Sequence, residues 1–292
     1  MYTQEAVSSR DGTTIGYRRY GRGPGLILVQ GAMGVAQHYD QLAQSLAAQF
    51  TVLVPDRRGR AASAKAFTDD HTYQRDVEDI AAVLEATGAH VLFGLSSGAL
   101  LAIESARQLS SVNAVALYEP PFQLHGMPTG QIERLSREID AGRLDAAFVT
   151  LMRIVKLAPA PLLALPRPLL AAIFRRVIRH QAKVPSTDYA PLTELIPSTR
   201  YDFRVLTEIA GRIDDYRALD KDVLLLGGTK SPRYLRDGLI ALEAILPSNR
   251  RVTLSRMNHT GPWNADQHGQ PNRVASELAT FFVPGADRAA RG

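Results

Sequence analysis

Short apolar runs alternate with longer amphipathic stretches along most of this chain. The apolar runs are GLILVQ (25–30), FTVLVP (50–55), AHVLFG (89–94), VNAVALY (112–118), DVLLLG (222–227) and RRVTLS (250–255). They lack the alternation of half-exposed strands and are typical of parallel strands buried on both faces. Helical patterns lie between them at 36–48, 72–87, 97–109, 203–215, 232–246 and 271–282. This order predicts an α/β fold with a mostly parallel, doubly wound sheet.

Two segments depart from the alternation. Residues 5–21 predict an antiparallel hairpin that turns at Asp11-Gly12. Residues 121–201 lack a good strand and are helical, apolar and interrupted by prolines, so they predict a helical insert. We therefore expect a core of residues 1–120 and 202–284, a helical cap of residues 121–201 and a flexible tail of residues 285–292.

The composition excludes several classes of protein. The 292 residues include no cysteine, which excludes disulfides and thiolate metal sites. The formal charge is +5, but the densest basic cluster, FRRVIRH (174–180), lacks the interleaved aromatics of a nucleic-acid surface. The apolar run 157–174 holds four prolines and Arg167 and is a poor membrane span.

These observations set the expected partners and location. We expect no nucleic-acid partner, no membrane span, no metal and no cofactor, and the sequence is compatible with a homodimer. The first twelve residues have neither a basic region nor an apolar region of a signal peptide, so a cytoplasmic location is expected.

A serine lies between two glycines at the end of one apolar run. Gly94–Gly98 read GLSSG, which matches G-x-S-x-G. The match is informative because a predicted strand precedes it and a helix of small residues follows, as in a nucleophile elbow. There Ser96 would be exposed in a strained turn, and side chains at positions 94 and 98 would collide with it. The alternative is an ordinary strand-to-helix turn.

With this elbow, the sequence resembles the α/β-hydrolase fold family, in the subgroup with a helical cap and a serine nucleophile. LILVQGAMG, VPDRRGR and a late histidine occupy the family's characteristic places. The resemblance implies an oxyanion site made by the backbone N–H groups of Ala32 and Ser97, with Met33 as the alternative to Ala32. Only the backbone of Ser97 would be used. Gln30 stands where the family usually has histidine, and its amide would still brace the loop.

The base and the acid of a triad are sought in later loops. His259 follows the last predicted strand, and His268 is the nearby alternative. The loop GGTKSPRYL (227–235) has no carboxylate, and Ser231 stands where the family's aspartate is typical. Glu119 follows the preceding strand directly, a position from which some haloalkane dehalogenases of this fold supply their acid. Glu119 could instead only cap the turn into Pro120.

The sequence therefore predicts a serine hydrolase that cleaves a small apolar ester or lactone through an acyl-enzyme. Ser96 would attack, His259 would carry the proton and Glu119 would orient His259. Asp202 and Asp237 are weaker candidates for the acid, and their amide variants are expected to be nearly silent. Two alternatives stay open: a carbon–carbon bond hydrolase or cyclase in small-molecule biosynthesis, and a ligand-sensing homologue with little turnover.

Overall fold

The computed structural model describes residues 1–124, 126–156, 160–183, 189–209 and 211–283. The strands are β1 (Thr3–Ser8), β2 (Thr14–Tyr20), β3 (Gly25–Val29), β4 (Thr51–Pro55), β5 (Val91–Leu95), β6 (Ala114–Tyr118), β7 (Asp222–Gly228) and β8 (Asn249–Leu254). The helices are α1 (Asp40–Leu46), α2 (Tyr73–Thr87), α3 (Ser97–Gln108), α4 (Thr129–Asp140), α5 (Leu144–Val155), α6 (Ala160–Leu163), α7 (Arg167–Lys183), α8 (Leu192–Ile209), α9 (Arg233–Ile245) and α10 (Pro271–Phe282). The predicted tail, 285–292, lies outside the described residues.

The eight strands form one sheet in the order β1-β2-β4-β3-β5-β6-β7-β8. β1 and β2 pair antiparallel, β2 joins β4 antiparallel, and all neighbours from β4 to β8 pair parallel. The predicted fold class is thereby confirmed, as is the N-terminal hairpin. Asp11 accepts a hydrogen bond from the Thr13 N–H at 3.0 Å in the hairpin turn.

The central strands are buried on both faces, as their unbroken apolar runs predict. In β3, Leu26 and Leu28 belong to one apolar cluster, whereas Ile27 and Val29 belong to the cluster on the opposite face. Helices cover both faces because each face presents a complete apolar surface. α1 packs against α10, and α2, α3 and α8 pack against one another.

α8 crosses the predicted boundary between insert and core. The helix begins at Leu192 and runs to Ile209, so residue 202 lies inside it rather than at its start. The helix predicted over 203–215 is wrong in extent, since a separate 3₁₀ turn follows at Ile213–Tyr216. α8 packs on α5 of the insert and also on α2 and α3 of the core, so a single helix belongs to both.

Parallel strands bring their carboxyl ends to one edge of the sheet, where such folds place their ligands. Ser96 follows β5, Glu119 follows β6, and Gly228 ends β7. His259 lies in the loop after β8. No helix in the described ranges is both long and apolar enough to cross a membrane.

Candidate active site

Ser96 occupies a strained turn between β5 and α3. Its φ of 56° and ψ of −125° lie outside the regions that non-glycine residues ordinarily adopt. Its N–H donates to the Tyr118 carbonyl at 2.9 Å, and its own carbonyl accepts the Ala99 N–H at 2.8 Å. The turn is therefore fixed to β6 on one side and to the first turn of α3 on the other.

The two glycines of the motif allow backbone elements to approach each other closely. A Cβ on Gly98 would lie 2.5 Å from the Val29 carbonyl oxygen, and one on Gly94 would lie 2.6 Å from the Ala99 Cα. The atoms nearest to either Cβ belong to the backbone of α3 or of the chain at the end of β3. The glycines let α3 pack against the ends of β3 and β5, which holds the turn at Ser96 in place.

Residues Gly31–Gly34 form a tight turn beside Ser96. The Gly34 N–H donates to the Gly31 carbonyl at 3.1 Å, and a Cβ on Gly31 would lie 2.9 Å from the Ser96 Cβ. Ala32 lines the cavity at Ser96, whereas Met33 lines the adjacent cavity. The Gln30 amide nitrogen donates to the Pro55 carbonyl at 2.8 Å, so it braces this loop as expected.

His259 and Glu119 form a close pair. Nδ1 of His259 lies 2.7 Å from Oε2 of Glu119, within the hydrogen-bond range of about 2.6–3.2 Å. The other oxygen, Oε1, accepts the Gly228 N–H at 2.6 Å, and the Glu119 side chain has no solvent-accessible surface. Both carboxylate oxygens are thus occupied, which fixes the carboxylate against the imidazole.

The loop that carries His259 is itself held by β6. The Tyr118 hydroxyl donates to the Asn258 carbonyl at 2.7 Å, and Gly261 lies so close to Tyr118 that a Cβ there would contact its ring. The alternative histidine, His268, is exposed at a turn and does not line the cavity at Ser96.

The remaining acidic candidates differ sharply in their surroundings. Asp237 forms an ion pair at 3.4 Å with Arg233, whose side chain is 87% exposed. Asp202 is buried, lines the cavity at Ser96 and accepts a hydrogen bond from the Ser97 hydroxyl at 2.6 Å. Asp202 lies within α8, as expected of a residue within or beside a predicted helix, and its contact shows that the Ser97 side chain is engaged as well.

Arg57 and Arg60 are the site residues that sequence reasoning missed. Both are buried, and both contact Asp202. The available signal was three arginines in PDRRGR directly after β4, at the edge of the sheet where the site lies. The pairing with Asp202 could not be found from the sequence, because the partner lies on a helix about 140 residues further along.

The cavity at Ser96 is narrow and mainly apolar, with a volume of about 80 Å³. Ser96, Ser97, Ala32 and His259 line it. Its apolar walls include Leu95, Ile154, Val155, Phe203, Leu206 and Trp263. Trp263 also lines a wider neighbouring cavity of about 630 Å³ between the insert and the core.

The apolar wall comes from only part of the apolar stretch in the insert. Residues 161–174 line neither of these two cavities. α5 and α8 supply the wall instead. Among the described residues, no cluster of three or more His, Asp or Glu side chains is arranged to hold a metal ion.

The fold agrees with the comparison to known proteins. Residues 26–277 match the model of the Alpha/beta hydrolase family, so the chain belongs to that family. It is 31% identical over 150 residues to an uncharacterized hydrolase, YraK, of Bacillus subtilis (strain 168), which covers 49% of this chain and 55% of that protein. It is 31% identical over 146 residues to a zearalenone hydrolase of Bionectria ochroleuca, which covers 47% and 52%.

The chain spans about half the length of these curated relatives. The similarity to a solved structure extends further. An α/β hydrolase from Sphaerobacter thermophilus DSM 20745 superposes with a TM-score of 0.76 at 28% identity, covering 96% of this chain and all of that one. This similarity includes the insert as well as the sheet.

Proposed function

We propose that the chain is a serine hydrolase of small apolar esters or lactones, with Ser96 as nucleophile. The observation that carries the proposal is the contact between Glu119 and His259 beside a cavity that Ser96 also lines. In this role the Nδ1–H of His259 donates to Glu119, which leaves Nε2 free to accept the serine proton.

The reaction follows from these positions. Ser96 Oγ attacks the carbonyl carbon while His259 takes its proton, and the N–H groups of Ala32 and Ser97 stabilise the oxyanion. His259 then protonates the departing alcohol oxygen, which leaves an acyl group on Ser96. Water adds to that acyl group as His259 takes its proton, and His259 then returns a proton to Ser96 Oγ as the acid is released. Glu119 stabilises the imidazolium in both halves of the reaction.

We further propose that residues 121–201 act as a cap that selects the substrate. Ile154 and Val155 of α5 line the cavity at Ser96, and the Tyr234 hydroxyl of α9 donates to the Val155 carbonyl at 3.1 Å. This contact joins the insert to the core at the cavity wall. The zearalenone hydrolase among the relatives supports a lactone as one substrate type.

The decisive test is covalent labelling combined with turnover. A fluorophosphonate probe is expected to label the chain at Ser96, and short p-nitrophenyl esters are expected to be hydrolysed. Ser96→Ala should lower kcat by roughly 10⁴ to 10⁶ and abolish labelling without unfolding the chain. Labelling that persists in Ser96→Ala would show that the nucleophile is misassigned.

The other candidate functions give different results in the same experiment. A ligand sensor would be stabilised by a small apolar lactone, with neither labelling nor turnover. A carbon–carbon bond hydrolase would be labelled at Ser96 but would leave esters nearly untouched.

Acyl length tests the assignment of the cavity. Each methylene that enters the apolar wall contributes about 0.8 kcal/mol, or about fourfold in kcat/KM. We expect kcat/KM to rise over the first few methylenes and then fall, because the cavity at Ser96 is narrow. Equal kcat/KM for p-nitrophenyl acetate and butyrate would contradict the role of Ile154 and Val155 in binding.

A further inference from the structure

A buried group of charged side chains lies behind the turn that carries Ala32, and the proposed reaction does not use it. We call Arg57, Arg60 and Asp202 the Arg–Asp cluster. The side chains of Arg57, Arg60 and Asp202 are 4%, 0% and 2% exposed. Asp202 pairs with both arginines: Oδ1 lies 2.6 Å from Arg57, and Oδ2 contacts Arg60.

Arg60 binds both ends of the turn. Its Nη1 donates to the carbonyls of Gly31 at 2.8 Å and of Gly34 at 2.9 Å. Between them, Met33 adopts a φ of +60°, which is unfavourable for a residue with a side chain. Such a conformation persists only where the surrounding structure holds it. Arg60 stabilises this conformation, because its guanidinium group binds both the first and the last carbonyl of the turn.

Asp202 and Arg57 extend the same set of contacts to the start of α3. The Ser97 hydroxyl donates to Asp202 at 2.6 Å and accepts from Arg57 at 3.0 Å. Arg57 Nη1 also donates to the Gln30 carbonyl at 3.3 Å, next to the turn. The turn and the N-terminus of α3 are therefore joined through the Arg–Asp cluster as well as through the sheet.

The cluster also balances charge beside the oxyanion site. Asp202 lines the cavity at Ser96 and contacts the side chain of Ser97, whose N–H is one of the two proposed oxyanion donors. An unbalanced carboxylate there would repel the negative charge that develops on the substrate oxygen. Arg57 also pairs with the buried carboxylate of Asp76 at 3.1 Å, so the two guanidinium groups balance two carboxylates. Removing an arginine would therefore both loosen the turn and place a net negative charge near the oxyanion.

We propose that Arg60 and Asp202 are positioning residues for the oxyanion site. They hold the Gly31–Gly34 turn and the first residue of α3 at one fixed separation, so that the N–H groups of Ala32 and Ser97 converge on the same oxygen. The inference rests on the proposed hydrolase function and adds residues that do not touch the reacting atoms. Buried ion pairs stabilise a fold weakly compared with apolar packing, so stability alone explains the cluster poorly.

The experiment separates positioning from folding by comparing kcat with KM. Arg60→Met, Arg60→Lys, Asp202→Asn and the double variant Arg60→Met/Asp202→Asn are assayed with p-nitrophenyl butyrate. Two ligands report on binding: butyrate, which resembles the product, and a trifluoromethyl ketone of equal chain length, which forms an oxyanion with Ser96. The matched control is Asp237→Asn, which removes a carboxylate from a partly exposed ion pair.

We expect Arg60→Met to lower kcat by roughly 10², the cost of losing one oxyanion donor, while KM changes less than about threefold. Affinity for the trifluoromethyl ketone should fall by the same factor as kcat/KM, with butyrate binding unchanged. Arg60→Lys should recover about tenfold, because it keeps the charge but not the forked donor. In the double variant, the fold-decrease in kcat should be smaller than the product of the decreases in the two single variants. The reason is that removing Asp202 also removes the unbalanced charge.

Three results would overturn the inference. One is a folded Arg60→Met variant with kcat within about threefold of the parent. Another is an equal loss of butyrate and trifluoromethyl ketone binding, which indicates general distortion. The third result applies if Arg60→Met does not fold. In that case, an Arg60→Lys variant with the same kcat as the parent would overturn the inference. A parent chain with neither labelling nor turnover would refute the proposed function itself, and this inference with it.

Discussion

At the scale of single residues, Glu119 is the carboxylate that contacts His259. The acid of this family is typically found after β7, yet Glu119 follows β6 and reaches the end of β7, where Oε1 accepts the Gly228 N–H. Its φ of +50° directs the chain out of β6 toward Pro120. Ser231, where an aspartate is typical, is buried and its hydroxyl has no hydrogen-bond partner among the described residues.

Glu119→Gln tests this placement. Glutamine keeps the shape and can still accept the Gly228 N–H, but it removes the charge that stabilises the His259 imidazolium. We expect kcat to fall by a factor approaching roughly 10⁴, by analogy with triad aspartates, while the far-UV spectrum is unchanged. The assay is p-nitrophenyl ester hydrolysis. Asp237→Asn serves as the control, and a kcat within tenfold of the parent in Glu119→Gln would rule out Glu119 as the triad acid.

At the scale of elements, the packing of α3 on the ends of β3 and β5 creates the turn at Ser96. The helix approaches so closely that Gly94 and Gly98 leave no room for a Cβ. α3 is also held at its other end, where the buried carboxylate of Glu104 accepts from the Tyr216 hydroxyl at 2.8 Å and from Arg107 at 2.7 Å. A shift of this helix would move Ser96 and Ser97 together.

Gly98→Ala is expected to force such a shift. The added methyl group would meet the Val29 carbonyl, so overpacking should lower the free energy of unfolding by about 1–3 kcal/mol. Urea denaturation measures the change. Gly130→Ala is the matched control, because nothing lies within 4 Å of a Cβ at that position in α4. That control should be stabilising by about 0.5–1 kcal/mol, and a Gly98→Ala variant as stable as the control would contradict the close packing.

At the scale of the whole molecule, contacts between the insert and the core meet at a buried histidine. His38 follows the Gly31–Gly34 turn, and its ring packs on Tyr189 and Trp263 with centroids 4.7 and 4.5 Å apart. Its Nδ1 accepts the Val35 N–H at 3.2 Å, which requires that nitrogen to be unprotonated. Burial lowers the pKa of His38 from its usual 6.5 to about 4, and the nearby charge of Arg60 acts in the same direction.

This shift predicts a loss of stability in mild acid. Because the folded state resists protonation at His38, the unfolded state binds the proton first below pH 6.5. The stabilising contribution is complete above pH 6.5 and is lost as the pH falls toward 4, with about 2 kcal/mol lost between pH 8 and pH 5. Urea denaturation at both pH values measures the loss. In His38→Gln the difference between the two pH values should be smaller by that amount, and an unchanged difference would contradict a buried neutral histidine.

The order of strands and helices in the core could be predicted from the sequence alone, apart from the bounds of α8. Apolar runs that lack alternation, with helical patterns between them, were enough to predict a parallel sheet. A strand that is buried on both faces has apolar residues at consecutive positions, so its own residues indicate its burial. The positions of Ser96 and Glu119 at strand ends followed from the same runs. The catalytic roles of these two residues and His259 are predictions that the variants described above test.

Which distant residues contact each other depends on the packing of the folded chain. The pairing of Arg57 and Arg60 with Asp202, the continuity of α8 across residue 202 and the lining of the cavity by α5 all depend on how helices pack after the chain has folded. A local pattern records whether a residue is buried, but not which partner it is buried against. For a charged side chain such as Arg60, the sequence does not indicate burial either. Charged residues are typical of the solvated surface, and only a buried partner makes their burial favourable.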